Sequence, residues 1–339
     1  MKKIIIVVSC LLLVLLLVQT GAAQERKAGL TGAAFLKIGV GARQVAMGTA
    51  TTAITGDVNQ MFYNPAGIAL KNEMLQASFT YNKWIADIGH NSAAVSYNLE
   101  DIGTIGIGFI TFGISGIPAD RDIPVDPVLK PFQIETLNSS TYDYRDMSYQ
   151  LTFSRYVMDN LALGVTVRGV SESIDGLSTT AVALDFGSTY NIGVLDWVIA
   201  ARFNNLGSDM KFYDIAFGLP LQFSIGTAIV PIKTGDSKIM MALDATKPQD
   251  GPLYLFGGVE YSFMNMLALR GGYKFNYSGT SETPGLGTLA VNSTIEGLSL
   301  GAGVQYELEG TGIIGVDYSY TQMNLLDNVH RFSVRFGMK

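Results

Sequence analysis

From Met74 onward the chain alternates apolar and polar side chains with a period of two, and no other feature limits its fold so strongly. In Met147-Ser-Tyr149-Gln-Leu151-Thr-Phe153-Ser154 every odd position is apolar and every even one polar, a separation onto two faces that a strand makes and a helix cannot. Residues 180–191 repeat it, with Val182, Leu184, Phe186 and Tyr190 against Ala183, Asp185, Thr189 and Asn191. So do Leu267, Leu269, Tyr273, Phe275 and Tyr277 against Arg270, Lys274 and Asn276. Fourteen such segments can be traced: 74–82, 91–99, 102–112, 146–158, 161–173, 180–192, 196–206, 220–231, 237–247, 252–263, 266–277, 297–308, 311–320 and 328–338. Most exceed the mode of about 5 to 6 residues of soluble strands and match tilted membrane-crossing strands of about 9 to 11 residues with some overhang.

The connections sort by parity. Pairs 2/3, 4/5, 6/7, 8/9, 10/11 and 12/13 are joined by brief turns such as Glu100-Asp101, Asp159-Asn160, Met264-Asn265 and Glu309-Gly310. The alternate set holds the long segments 113–145, 207–219 and 278–296, and within it only Pro248-Gln249-Asp250-Gly251 is tight. Short turns on one side and long loops on the other are the layout of an outer-membrane barrel with both termini in the periplasm. The predicted fold is therefore all-β, a 14-stranded antiparallel transmembrane barrel over 74–339.

A charge facing the bilayer midplane costs about 2 to 4 kcal/mol, so the polar side of each strand is expected to face the lumen. That places Arg168, Asp185, Arg202, Asp244, Glu260, Arg270, Lys274, Glu307, Asp317, Arg331 and Arg335 inside, where both signs allow paired charges. Tyr149, Trp197, Tyr261, Tyr273, Tyr306, Tyr318 and Tyr320 fall on the outward face, several near strand ends where aromatic girdles sit.

The first part of the chain reads differently. Lys2 and Lys3, an apolar run from Ile4 to Val18, and small residues Gly21 to Ala23 form the layout of a secretory signal peptide over 1–23. The only cysteine, Cys10, lies inside that run, so the exported chain has no thiol chemistry. Without Lys2 and Lys3, 21 basic residues face 29 acidic ones, a net charge of −8 with no basic run, which argues against nucleic-acid binding. Residues 24–73 then precede the strands without themselves alternating. They are rich in Gly and Ala, have few charges between 32 and 67 beyond Lys37, Arg43 and Asp57, and close on Asn64-Pro65-Ala66-Gly67, a run that stops regular structure. A segment of this kind ahead of a barrel is expected to plug or cap it.

Motifs for chemistry are sparse. Gly39-Val-Gly41-Ala-Arg43 opens like a dinucleotide fingerprint, but the third glycine and the surrounding βαβ unit are missing; close backbone packing is the simpler account. His90 and His330 have no metal-like spacing and read as surface residues at strand ends. No nucleophile stands out, so neither an enzyme nor a cofactor or metal site is expected. Residues 113–146, interrupted by Pro118, Pro124, Pro127 and Pro131, form the longest connection and a candidate outer lid.

Gly32-Ala-Ala-Phe-Leu-Lys-Ile-Gly-Val-Gly-Ala-Arg43, Ala46-Met47-Gly48 and Tyr63-Asn64-Pro65-Ala66-Gly67 resemble the opening of the PorV/PorQ family of outer-membrane proteins. That family is similar to the FadL-type long-chain fatty acid transporters, which share the Asn-Pro-Ala motif and a 14-stranded barrel with an N-terminal hatch. The resemblance implies that Asn64, Pro65 and Ala66 end the hatch, that Gly39, Gly41 and Gly48 let it fold within the lumen, and that Arg43, Met47 and Gly67 belong to the same motif set. Gln44-Val45 and Gly48-Thr49 depart from the smaller Ala or Gly residues of the family, and the chain ends Phe336-Gly-Met-Lys339 rather than on an aromatic. Two functions follow as expectations. One is a partner in type IX secretion or surface attachment, touching secretion or attachment proteins. The alternative is a FadL-like passive transporter of a hydrophobic small molecule. In either case outer-membrane lipid is the surrounding solvent.

Overall fold

The computed structural model describes residues 30–69, 74–119, 141–275, 296–308, 312–323 and 326–338. The expected signal peptide, most of the 113–146 connection and most of 278–296 lie outside the described residues.

The described strands, in chain order, are β1 (Leu75–Lys83), β2 (Gly89–Asn98), β3 (Thr104–Pro118), β4 (Thr141–Met158), β5 (Leu161–Ile174), β6 (Leu177–Asn191), β7 (Val198–Gly207), β8 (Met210–Lys211), β9 (Ala216–Phe217), β10 (Gln222–Lys233), β11 (Ser237–Pro248), β12 (Tyr254–Phe263), β13 (Leu267–Phe275), β14 (Leu298–Leu308), β15 (Gly312–Thr321) and β16 (Val329–Met338). Fourteen of them form one closed antiparallel barrel in sequence order, and the short β8 and β9 pair with each other apart from it. Closure is made by β1 against β16, in register from Leu75↔Met338 to Lys83↔His330. Closure leaves the sheet with no free edge, the condition for crossing a bilayer with strands.

The two faces separate as the alternation requires. Val182, Leu184, Phe186 and Tyr190 point outward and are exposed, while Ala183, Asp185 and Thr189 between them are buried. The same holds around the wall, where Phe79, Ile107, Leu151, Val167, Ile225, Leu269, Val304 and Val334 make an exposed apolar belt. A belt of that extent on a closed barrel with charges inside is a lipid-facing surface. The chain is an outer-membrane barrel.

Three details differ from the sequence expectation. The 3/4 connection is partly strand: β3 and β4 continue their pairing through Gly113↔Arg145 and Pro118↔Thr141, with a register shift between Ile114 and Ile117. A second tight turn stands on the long-loop side, where Asp175 (φ 49°) and Gly176 (φ 82°) join β5 to β6; two successive left-handed residues are what a two-residue hairpin needs. Glu307 is exposed, one residue from the end of β14, so it stands at the periplasmic rim and not within the lumen.

Inside the barrel lies the N-terminal segment, with almost every described residue between 39 and 69 buried. It is made of short pieces: 3-10 turns at Ala34–Lys37, Val58–Phe62 and Pro65–Ile68, and one short helix, α1 (Ala42–Ala46). The side chains are small and the turns brief, so the segment coils within a space bounded on all sides by strands.

Candidate functional site

The inner wall receives the segment at glycines. A Cβ on Gly272 would lie 2.0 Å from the Gly48 nitrogen, and one on Gly258 would lie 2.3 Å from the Met47 carbonyl oxygen. Opposite, a Cβ on Gly187 would meet Asn64 Oδ1 at 1.9 Å and one on Gly164 the Ala66 nitrogen at 2.4 Å. Gly48 itself has φ +64°, and a side chain there would reach the Tyr273 backbone nitrogen at 2.6 Å. Backbone of the hatch therefore lies directly on backbone of the wall, which only glycine permits. Sequence reasoning picked out the hatch glycines but missed these wall glycines; their signal was glycine at lumen-facing positions of β5, β6, β12 and β13.

Polar anchors fix the same contact. Asn64 sets the start of its 3-10 turn by accepting from the Ala66 N–H at 3.1 Å, and its Nδ2 donates to the Thr52 and Ser188 carbonyls at 2.7 and 3.1 Å. Pro65 follows at the first position of that turn, where its missing N–H is not needed. Asp244 Oδ2 accepts from Thr51 N, Thr52 N and Thr52 Oγ1 at 2.7 to 2.9 Å. Tyr63 closes the hatch on itself, its hydroxyl bonding both Val40 N and Val40 O, while Asn204 Nδ2 donates to the Tyr63 carbonyl at 2.7 Å.

All three hatch charges noted in the sequence form ion pairs. Arg43 reaches Glu260 through two bonds of 2.8 Å and Asp57 at 3.1 Å. Glu260 in turn pairs with Arg270, Arg270 with Asp317, and Asp317 with Arg335, at 2.6, 2.6 and 2.5 Å. Asp57, Arg43, Glu260, Arg270, Asp317 and Arg335 thus make one alternating chain of charge from the hatch into the wall. Burial pushes the Asp57 carboxyl up, but Arg43, Arg335 and the Asn59 N–H together hold it below the ordinary carboxylate range. Lys37 pairs with Asp250 at 2.7 Å in the loop after β11. Burial raises Asp250 too, and the Lys37 and Thr31 bonds outweigh it to leave the group lowered.

The remaining lumen charges lie elsewhere. Arg168 pairs with Asp185 at 2.6 Å, and Asp185 also accepts from Asn205 N at 2.7 Å. Lys274 pairs with Glu296. Arg331 is buried, bonds Thr321 Oγ1 at 3.1 Å and lies over the Trp84 ring at 5.1 Å. His90 is a correction: only 2 % exposed, it faces the lumen, bonded to Asn82 Nδ2 at 3.1 Å and set against Phe112. β2 begins earlier than the sequence pattern showed, at Gly89, which makes His90 its first inward residue. His330 stands on the outer face against Tyr318, bonded to its hydroxyl at 2.8 Å.

Two cavities flank the hatch. The outer one, about 250 Å³, has Leu36, Ile38, Val40, Phe62 and Tyr63 of the hatch on one side and Ile110, Tyr254 and Phe256 of the wall on the other. Arg168, Arg202, Lys274 and Lys37 border it. The inner one, about 180 Å³ and more polar, lies at the periplasmic end beside Arg43, Asp57, Gln76, Gln305 and Arg335. The hatch and its charge chain separate the two.

Neither a protein-family model nor a curated relative matches the chain. Solved structures do match in fold. The Ralstonia pickettii toluene transporter TbuX aligns with TM-score 0.55 at 14% identity, covering 89% of this chain and 98% of its own. The P. putida toluene transporter TodX gives 0.56 at 12%, covering 89% and 98%. A Pseudomonas aeruginosa FadL homologue gives 0.52 at 11%, covering 85% and 95%. The barrel architecture is thus FadL-like.

Proposed function

We propose that this protein is a passive channel that carries small hydrophobic molecules across the outer membrane. The observation that carries the reading is the pair of cavities on either side of a seated hatch, the outer one with an apolar side made by Leu36, Ile38, Val40, Phe62, Tyr63 and Phe256 and a polar side of similar extent that includes Asn204, Asn205, Gln222 and Thr246. The apolar side gives a hydrophobic solute a surface to leave water for, and the polar side orients it. The solute enters from the outer end, rests on the hatch near Tyr63, and proceeds when the hatch shifts or the wall admits it sideways. The FadL-like neighbours named as toluene transporters support the same direction.

Uptake of labelled toluene tests it, in cells whose lipopolysaccharide leaflet is intact, since a plain phospholipid bilayer lets toluene through unaided. Expression is expected to raise uptake above that of an empty-vector strain; equal uptake would overturn the reading. A second reading, a PorV/PorQ-type partner in type IX secretion or surface attachment, rests on the 32–67 block alone. Recovery of secretion or attachment proteins with the solubilised barrel, and loss of surface cargo on its deletion, would favour it.

A further inference from the structure

Among the described residues, one cation bordering the outer cavity forms no ion pair. Arg202 on β7 is 7 % exposed and borders the cavity, yet no carboxylate among the described residues lies within ion-pairing distance of it, and its Nε has no hydrogen-bond partner. The Tyr63 ring lies 5.4 Å from the guanidinium carbon. The other three cations on the rim are each occupied, Arg168 by Asp185, Lys37 by Asp250 and Lys274 by Glu296. The acids that face Arg202 stop short of an ion pair with it: Asp185 is bonded to Arg168 and Asn205 N, and Asp244 is held through Oδ2 by Thr51 and Thr52, while its Oδ1 has no hydrogen-bond partner. A buried guanidinium without a counter-ion is costly, and such groups are ordinarily paired.

We infer that Arg202 is the recognition point for an anionic group, and that the cavity takes a compact, ring-sized carboxylate lying against Tyr63, Phe62 and Phe256. Three features of the cavity fit that class. The guanidinium presents a planar fork that matches a carboxylate through two parallel bonds. Phe62, Tyr63 and Phe256, with Leu36 and Ile38, give the ring an apolar face to lie on. The volume of about 250 Å³ is below the roughly 300 to 1,000 Å³ of sites for drug-sized ligands, which favours a short molecule over a long acyl chain. The inference rests on the transport reading and narrows its substrate: a neutral hydrocarbon passes, but an aromatic acid is held.

Isothermal titration of the full-length barrel in detergent with benzoate and with benzamide, its neutral isostere, tests this. The wild type is expected to bind benzoate at least tenfold more tightly than benzamide. Arg202→Met is expected to abolish that preference and Arg202→Lys to retain part of it. Equal binding of the two ligands by the wild type, or a benzoate preference that survives Arg202→Met, would overturn the inference. So would displacement of benzoate by palmitate at concentrations tenfold lower than unlabelled benzoate requires. The wild-type comparison decides the matter even if Arg202→Met does not fold. Toluene uptake by the same variants separates the two claims: uptake above empty vector with no benzoate preference removes the anion site alone, whereas no uptake removes the transport reading beneath it.

Discussion

Arg43→Met is the substitution that bears most directly on how the hatch is held. Its guanidinium makes three bonds, two to Glu260 on β12 and one to Asp57 within the hatch, and its side chain is 17 % exposed. Loss of one partner from a buried pair costs about 3 to 5 kcal/mol, because the other charge is left uncompensated. Two facts move the figure to the low end: partial exposure screens the pair, and Glu260 keeps Arg270 at 2.6 Å. At about 3 kcal/mol the population of unseated hatch rises roughly a hundredfold. Conductance of single barrels in planar bilayers reads this as more frequent openings. A cysteine placed at Ala50, which is 0 % exposed, reads it as faster maleimide labelling against a sequence whose only other cysteine is Cys10. Unchanged conductance and labelling in Arg43→Met would refute the view that this charge chain secures the hatch. A cycle with Glu260→Gln adds a further check, since two groups in one network are expected to show non-additive effects.

Other consequences follow from the same contacts. Gly272→Val inserts a branched side chain where a Cβ alone would lie 2.0 Å from the Gly48 nitrogen; conductance is expected to rise while the barrel still forms, as seen by its resistance to unheated SDS. Asn64→Ala removes bonds to Thr52, Ser188 and Ala66, and at about 1 kcal/mol for each lost bond denaturant melting of the hatch, followed by labelling at Ala50→Cys, is expected to move to lower concentration. Acid acts through Asp57 and Asp250, whose carboxyls are lowered in the folded chain. Groups of that sign contribute stability above their unfolded value of about 3.9 and lose it as the pH falls through the folded value. Conductance is therefore expected to stay flat between about pH 7 and pH 5 and to rise only below about pH 4; a rise centred near neutral pH would contradict the assignment.

The barrel was legible in the sequence to within a few residues at most strand ends, because a wall with lipid on one side and charge on the other enforces a strict period of two. Val182, Asp185 and Phe186 announce their faces by chemistry alone. The pattern failed where tertiary pairing overrides local composition. Gly113-Ile-Ser-Gly-Ile-Pro118 reads as a loop, yet it pairs as strand with residues 141–145 across a register shift. Asp175-Gly176 is a turn signal that was passed over among longer segments. His90 is hidden because a lone histidine near a strand end carries no parity of its own; only pairing with Phe112 across β3 fixes it inward. The hatch was visible as a block, but its seat was not. Glycines at inward positions are silent in a hydrophobic pattern, and Lys37, Arg43 and Asp57 give no hint of the wall residues, more than 200 positions away for Asp250 and Glu260, that they meet. Thr49 shows the same limit, holding φ +61°, a conformation that costs a non-glycine roughly 1 kcal/mol and that nothing in the local pattern announces.

The central claim is that an apolar solute crosses by way of the cavity above the hatch. Toluene uptake in cells expressing Ile38→Trp, which fills a cavity of about 250 Å³ from the hatch side, measures it against the unaltered protein and an empty vector at matched barrel levels. The account predicts uptake well above empty vector for the unaltered chain and a return toward the background for Ile38→Trp. Uptake by Ile38→Trp equal to that of the unaltered chain would contradict it.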